Sequence, residues 1–314
     1  MIPAIEIPGF QIGILSIILL GVLIWYLPTG HKPKPFREVY KGQNKNVAHI
    51  LEEIEKETLK QLKYNNTLWT YFDSENENHT LFFLHGMGAD YRIWWQQIHA
   101  FRDRYRIIAI NLPGNISTTE EASQGIIHIL DKENIPKAHF IGTSMGGYII
   151  QRLMLLAPER LLSAVLSNTF PPNKLKWAIN KNTYFTTKLT PGWVMWKMIW
   201  KNYNNQMFPA SNHTEKLRAY ILSTPFNKKH FLNRFHVVTD YFELKLNQDI
   251  RSIPKLIIES DNDPQIEKEL QNLLKSHFYE ARIYTFHNGG HFPYVCRADE
   301  YNLTLKTFLS DTYH

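Results

Sequence analysis

An apolar run that leads straight into Gly142-Thr143-Ser144-Met145-Gly146 and then into a helical pattern (HFIGTSMGGYIIQ) is the feature of this chain that leaves the fewest folds open. A serine at a sharp strand-to-helix turn needs small neighbours, because its own backbone is strained, and Gly142, Gly146 and Gly147 supply them. The turn exposes the hydroxyl at a helix N-terminus, where the backbone dipole favours developing negative charge. Ser144 is therefore the candidate nucleophile.

The rest of the chain supplies the sheet that such a turn belongs to. Short apolar or β-branched runs at 69–72, 81–84, 106–110, 139–141, 161–166, 255–258 and 282–286 read as strands buried on both faces. Helical patterns lie between them, notably at 120–132, 145–157 and 265–277, and an amphipathic helix at 47–63 precedes them. The alternation predicts an α/β fold with a mostly parallel sheet flanked by helices. One interval, 171–250, breaks the rhythm; rich in Trp193, Trp196, Trp200, Met195 and Met198, it reads as an inserted helical cap that packs on the sheet domain and faces the substrate. With 314 residues and 44% hydrophobic content, the core is easily filled by one domain over 47–314.

An orienting carboxylate and a base should come from loops beyond later strands. IPKLIIESDNDPQI offers Asp263 and Asp261; the position before Pro264 fits best, so Asp263 is preferred and Asp261 is the alternative. In IYTFHNGGHFPYVC, His291 can reach Ser144, with Gly289 and Gly290 giving mobility and space, while His287 sits beside the strand as a packed or surface histidine. The strand ending in His85-Gly86-Met87-Gly88 is where an oxyanion hole takes its second donor, so the backbone N–H groups of Met87 and Met145 are the candidate pair, with His85 structural. The order Ser, Asp, His matches α/β hydrolases. The chemistry implied is acyl transfer to water, with lyase or C–C hydrolase use of the same residues still open.

Other chemistries find little support. A net charge of +6, with basic residues scattered among acidic ones, argues against nucleic-acid binding. The single cysteine, Cys296, permits no intramolecular disulfide and no Cys-based zinc site, and no HExxH or phosphate-cradling loop calls for a metal or cofactor.

The segment 10–27, FQIGILSIILLGVLIWYL, carries no charge and is close to the roughly 20 residues that cross a bilayer. Trp25 and Tyr26 suit the headgroup level, and Pro28 and Gly30 stop the helix. A cleaved signal peptide is the alternative, but Glu6 replaces a basic cluster and no small-residue cleavage site follows. The expectation is a single-pass anchor over 1–30 and a linker over 31–46, whose Lys32, Lys34, Arg37 and Lys41 put the catalytic domain on the cytoplasmic side.

Residues 68–310 resemble the α/β-hydrolase superfamily. Within it the chain is similar to the maspardin-like group, chiefly in GGHFPYVCRADEYNL (289–303), with LSNTF (166–170) and LWTYFD (68–73) in support. The group's name-giving member is regarded as a protein-binding non-enzyme, because its counterpart of His291 is not histidine. This chain keeps a histidine there, which favours catalysis; the rival expectation is a membrane-attached binding scaffold. Asn111 in INLPG departs from an aspartate common in the superfamily at a position that is usually structural.

Overall fold

Strand formation follows the apolar runs closely. In a computed structural model, which describes residues 9–25, 27, 31–40 and 45–312, the strands are β1 (Lys60–Tyr64), β2 (Thr67–Asp73), β3 (Thr80–Leu84), β4 (Arg106–Asn111), β5 (Ala138–Thr143), β6 (Leu161–Ser167), β7 (Lys255–Ser260) and β8 (Arg282–Phe286). They form one sheet in the order β1-β2-β4-β3-β5-β6-β7-β8. Pairing is antiparallel for β1 with β2 and β2 with β4, and parallel from β4 to β8.

Helices connect and cover the strands. They are α1 (Gly9–Trp25), α2 (Phe36–Val39), α3 (Lys45–Lys56), α4 (Trp95–Phe101), α5 (Thr119–Lys132), α6 (Met145–Leu156), α7 (Lys174–Leu189), α8 (Gly192–Asn202), α9 (Glu215–Ser223), α10 (Lys228–Thr239), α11 (Gln248–Ser252), α12 (Lys268–His277), α13 (Pro293–Cys296) and α14 (Ala298–Asp311). Side chains alternate across the pleat, so each strand feeds two cores. Leu81 and Phe83 of β3 pack with Trp95 of α4, Leu51 of α3 and Leu305 of α14. Phe82 and Leu84 pack on the other side with Ile126 of α5 and Ile149 of α6. Helices α7 to α11 occupy the interval between β6 and β7 and form the cap.

Two expectations need correction, and a third finds no support among the described residues. The helix expected over 47–63 ends at Lys56, and Lys60–Tyr64 becomes an edge strand whose hairpin turns on Asn65 and Asn66, both with positive φ. The linker expected over 31–46 is in part structural: Phe36 is fully buried, stacks with Tyr40 and packs at a tilt on Trp95. No described helix is long and apolar enough to cross a membrane. Helix α1 has 17 described residues, about 25 Å at 1.5 Å per residue, against a hydrocarbon core of about 30 Å. Its Ile17, Ile18, Leu20 and Leu23 are exposed. Glu6, Tyr26, Pro28, Gly30 and Lys41 lie outside the described residues.

Candidate active site

The parallel strands bring their C-terminal ends to one edge, and the predicted site residues come from those ends. Ser144 follows β5 and precedes α6 with φ 51° and ψ −117°, a conformation that a non-glycine residue holds only under strain. The surrounding glycines are there because nothing larger fits. A Cβ on Gly146 would lie 2.2 Å from the Leu84 carbonyl oxygen, and one on Gly142 2.5 Å from the Gly146 carbonyl carbon. Thr169 Oγ1 donates to the Ser144 carbonyl at 2.6 Å, and the Ser144 N–H donates to the Ser167 carbonyl at 3.0 Å, so the turn is tied to the end of β6.

Asp263 lies past β7 and His291 past β8, and the fold joins them. His291 Nδ1 is 3.0 Å from Asp263 Oδ1 and 2.9 Å from Oδ2. The carboxylate is buried and its other contacts all donate to it: the N–H groups of Gln265 and Ile266 to Oδ1, at 2.8 and 3.2 Å, and Asn168 Nδ2 to Oδ2, at 2.9 Å. An acceptor-only carboxylate satisfied by these donors holds the imidazole proton at Nδ1 and leaves Nε2 as the free acceptor. Asp261 is elsewhere: it accepts from the Asn288 N–H and sits 2.8 Å from Nδ1 of the exposed His287. Asp263, not the alternative Asp261, is thus the partner of His291.

Ser144 and His291 line two cavities together with Met87 and Gln265. One, of about 270 Å³, runs under the cap among Trp196, Tyr203, Tyr220, Phe226, Phe231 and Tyr294. The other, of about 180 Å³, is walled by Tyr148, Phe170, Val238 and Leu270. A more voluminous cavity, about 630 Å³ and lined by Glu120, Arg152 and Asp240, contains none of the predicted residues. A cleft that divides at a serine and a histidine suits a substrate with a group on each side of the reacting bond.

Met87 lines both cavities, and Met145 directly follows Ser144 in the chain. Met145 opens α6, where an N–H has no partner within the helix. The Met87 loop packs on Ser144, since a Cβ on Gly86 would lie 3.4 Å from Ser144 Cβ. His85 is fully buried, and burial pushes its pKa down to about 3, so it stays neutral and cannot serve as the base. Cys296 is also buried, its thiol pushed up to about 12 by burial, which removes it as a nucleophile.

The role expected of Gly289 and Gly290 is different in the structure. Both are buried; Gly290 has φ +60°, and a Cβ there would lie 1.8 Å from Ser211 Oγ. They bring the His291 loop close to the cap and do not loosen it. Sequence reading missed Asn168. Its φ of 42° in LSNTF is unusual for a non-glycine residue, and its side chain bonds Asp263, Ser260 and the Gly290 carbonyl. Among the described residues, no group of three or more His, Cys, Asp and Glu side chains could hold a metal ion.

This strand order, with a strained serine between β5 and α6, is the α/β-hydrolase arrangement, and a family model for the alpha/beta hydrolase fold matches residues 79–194. The chain has the α/β-hydrolase fold. It is similar to maspardin of Mus musculus, 23% identical over 261 residues, covering 78% of this chain and 80% of that protein. It is also similar to a pimeloyl-acyl-carrier-protein methyl ester esterase of Hamiltonella defensa, 24% identical over 234 residues and covering 69% of this chain and 88% of the esterase. Among solved structures, a bacterial membrane phospholipase A shares the fold with a TM-score of 0.63 and 17% identity, over 98% of this chain and 99% of its own.

Proposed function

We propose that the protein is a serine hydrolase that cleaves esters of apolar acyl groups. Ser144 Oγ attacks the ester carbonyl as His291 Nε2 takes its proton. The N–H groups of Met87 and Met145 stabilise the oxyanion, and Asp263 supports the imidazolium. His291 then protonates the leaving alcohol, and water, activated by the same imidazole, releases the acid. The observation that carries this reading is the His291–Asp263 pair facing, with Ser144, the junction of two cavities. The aromatic walls of the larger cavity support an apolar acyl group, and the esterase relative supports ester hydrolysis.

The proposal extends to attachment at a membrane through α1, whose Ile14, Ile17, Ile18, Leu20 and Leu23 are exposed, with basic residues following that favour a cytoplasmic catalytic domain. The shared fold of a membrane phospholipase A along the chain is in keeping with a lipid ester as substrate. The decisive experiment labels the full-length protein with a fluorophosphonate probe and measures turnover of p-nitrophenyl esters of increasing chain length. Labelling lost in Ser144→Ala, with turnover favouring longer acyl chains, is the expected result. No label and no turnover would instead favour the scaffold reading, which the maspardin similarity motivates; that reading predicts an intact phenotype in Ser144→Ala.

A further inference from the structure

The loop after β3 has to hold one backbone N–H still beside the nucleophile, yet Gly86 and Gly88 flank it and give it little stiffness of its own. Two side chains from outside the loop tip fix it. Leu112 N–H donates to His85 Nε2 at 3.0 Å, which puts the ring proton on Nδ1, and Nδ1 in turn donates to the Gly86 carbonyl at 2.7 Å. A trans peptide is planar, with its C=O and N–H pointing opposite ways, so pinning the Gly86 carbonyl aims the Met87 N–H.

The next peptides are held by Arg234, which comes from α10 of the cap, 147 residues away in sequence from Met87. Its Nη1 donates to the Met87 and Ala89 carbonyls, both at 2.9 Å, and its Nη2 to the Leu112 carbonyl at 3.2 Å. This guanidinium forms no ion pair among the described residues, and its buried Nε has no acceptor. Nearby Asp90 is already engaged by Arg92 and by the Tyr220 hydroxyl. A half-buried cation with no direct ion pair is a poor device for stability. All of its bonded donors go to three backbone carbonyls, two in the loop that carries Met87 and one on the residue that fixes His85.

We propose that Arg234 is a positioning residue for the oxyanion hole: the cap, through this one side chain, holds the loop in the conformation that aims the Met87 N–H at the developing oxyanion. Docking of the cap and assembly of the hole then become one event. The positive charge, one peptide from the oxyanion, adds a field of the favourable sign. The inference rests on the hydrolase reading.

Its test compares full-length wild type with Arg234→Lys and Arg234→Gln in three measurements: kcat and KM on a p-nitrophenyl ester, inhibition by a trifluoromethyl ketone, and the thermal midpoint. The ketone forms a tetrahedral adduct with the serine, and the adduct's oxyanion occupies the hole. Misaimed donors should lower kcat by about 10- to 100-fold with KM within about threefold, and the ketone should weaken by the same factor as kcat/KM. Lys keeps the charge but cannot span three carbonyls, so it should retain the thermal midpoint better than Gln and lose most of the rate. A kcat within threefold of wild type overturns the inference, as does a rate loss with unchanged ketone affinity. Failure of both variants to fold assigns Arg234 to stability and overturns it too. A wild type without ester turnover or probe labelling removes the hydrolase reading itself, whereas an active wild type with an equally active Arg234→Lys removes only this inference.

Discussion

Asp261 and Asp263 are two residues apart, and their carboxylates have different duties. Asp263 is enclosed, accepts from two N–H groups and Asn168, and faces His291. Asp261 lies at the surface beside the exposed His287. Asp263→Asn replaces an acceptor by an amide that can donate, which favours the wrong imidazole tautomer and removes the charge that stabilises the imidazolium; kcat should fall by about 10³- to 10⁴-fold. Asp261→Asn should leave kcat within about threefold. Steady-state kinetics on the two variants check this, and equal losses would argue that the loop matters only as a scaffold. The sequence made this choice legible only through Pro264, which marks where the loop turns; Asn168, which fixes the carboxylate, lies 95 residues away from it, and no local pattern announces such a contact.

At the scale of elements, the antiparallel edge of the sheet is tied down by charge. Lys60 of β1, Asp73 of β2, Arg106 of β4 and Glu133, just past α5, form one network: Arg106 Nη2 lies 2.6 Å from Asp73 and 2.5 Å from Glu133, and Lys60 Nζ 2.8 and 3.0 Å from the same carboxylates. Burial alone would raise the Asp73 carboxyl, but the hydrogen bonds from Arg106 and Lys60 outweigh it and hold it down at about 2. A carboxyl depressed on folding contributes stability that is complete above its unfolded value near 3.9 and is lost as pH falls through its folded value. Here the amount is on the order of 2 kcal/mol. Asp73→Asn should therefore be less stable than wild type in urea at pH 6, and the gap should close between pH 4 and pH 2. A gap independent of pH would mean that packing, not charge, holds this edge. The same edge explains why β1 escaped sequence reading. Strands buried on both faces print an apolar run, as β3, β5 and β7 do. Lys60–Tyr64 is half exposed, short and charged, and its Leu62 continues the spacing of the preceding helix. Tertiary pairing with β2 decides its conformation, and that information is not local.

Across the whole molecule, the N-terminal helix and the cap are joined. Trp193 Nε1 of α8 donates to the Ile24 carbonyl at 3.0 Å, and Lys228 of α10 lies 4.8 Å from the centre of the Trp25 ring. His31 stacks on Trp196 with ring centres 4.0 Å apart and bonds the Thr224 carbonyl at 2.8 Å. Trp196 and Thr224 also line the larger cavity at Ser144. The chain beyond α1 then enters the core through Phe36, so Phe36–Tyr40, within the segment that composition marks as a linker, belongs to the folded domain. Sequence could not reveal this, because a lone apolar residue among lysines and prolines has no periodicity to read. Two truncations separate the parts. Removing 1–30 takes away α1 and its contacts with the cap but leaves Phe36 and Tyr40 in place, so the thermal midpoint should stay within a few degrees. Removing 1–46 also empties the Phe36 site, and emptying a buried aromatic site costs about 3 kcal/mol or more, which at this size is a fall of roughly 6 °C or more. Calorimetry on the two truncated forms distinguishes them. Equal midpoints would mean that the buried ring at position 36 is not needed by the core, and that the domain closes over its absence.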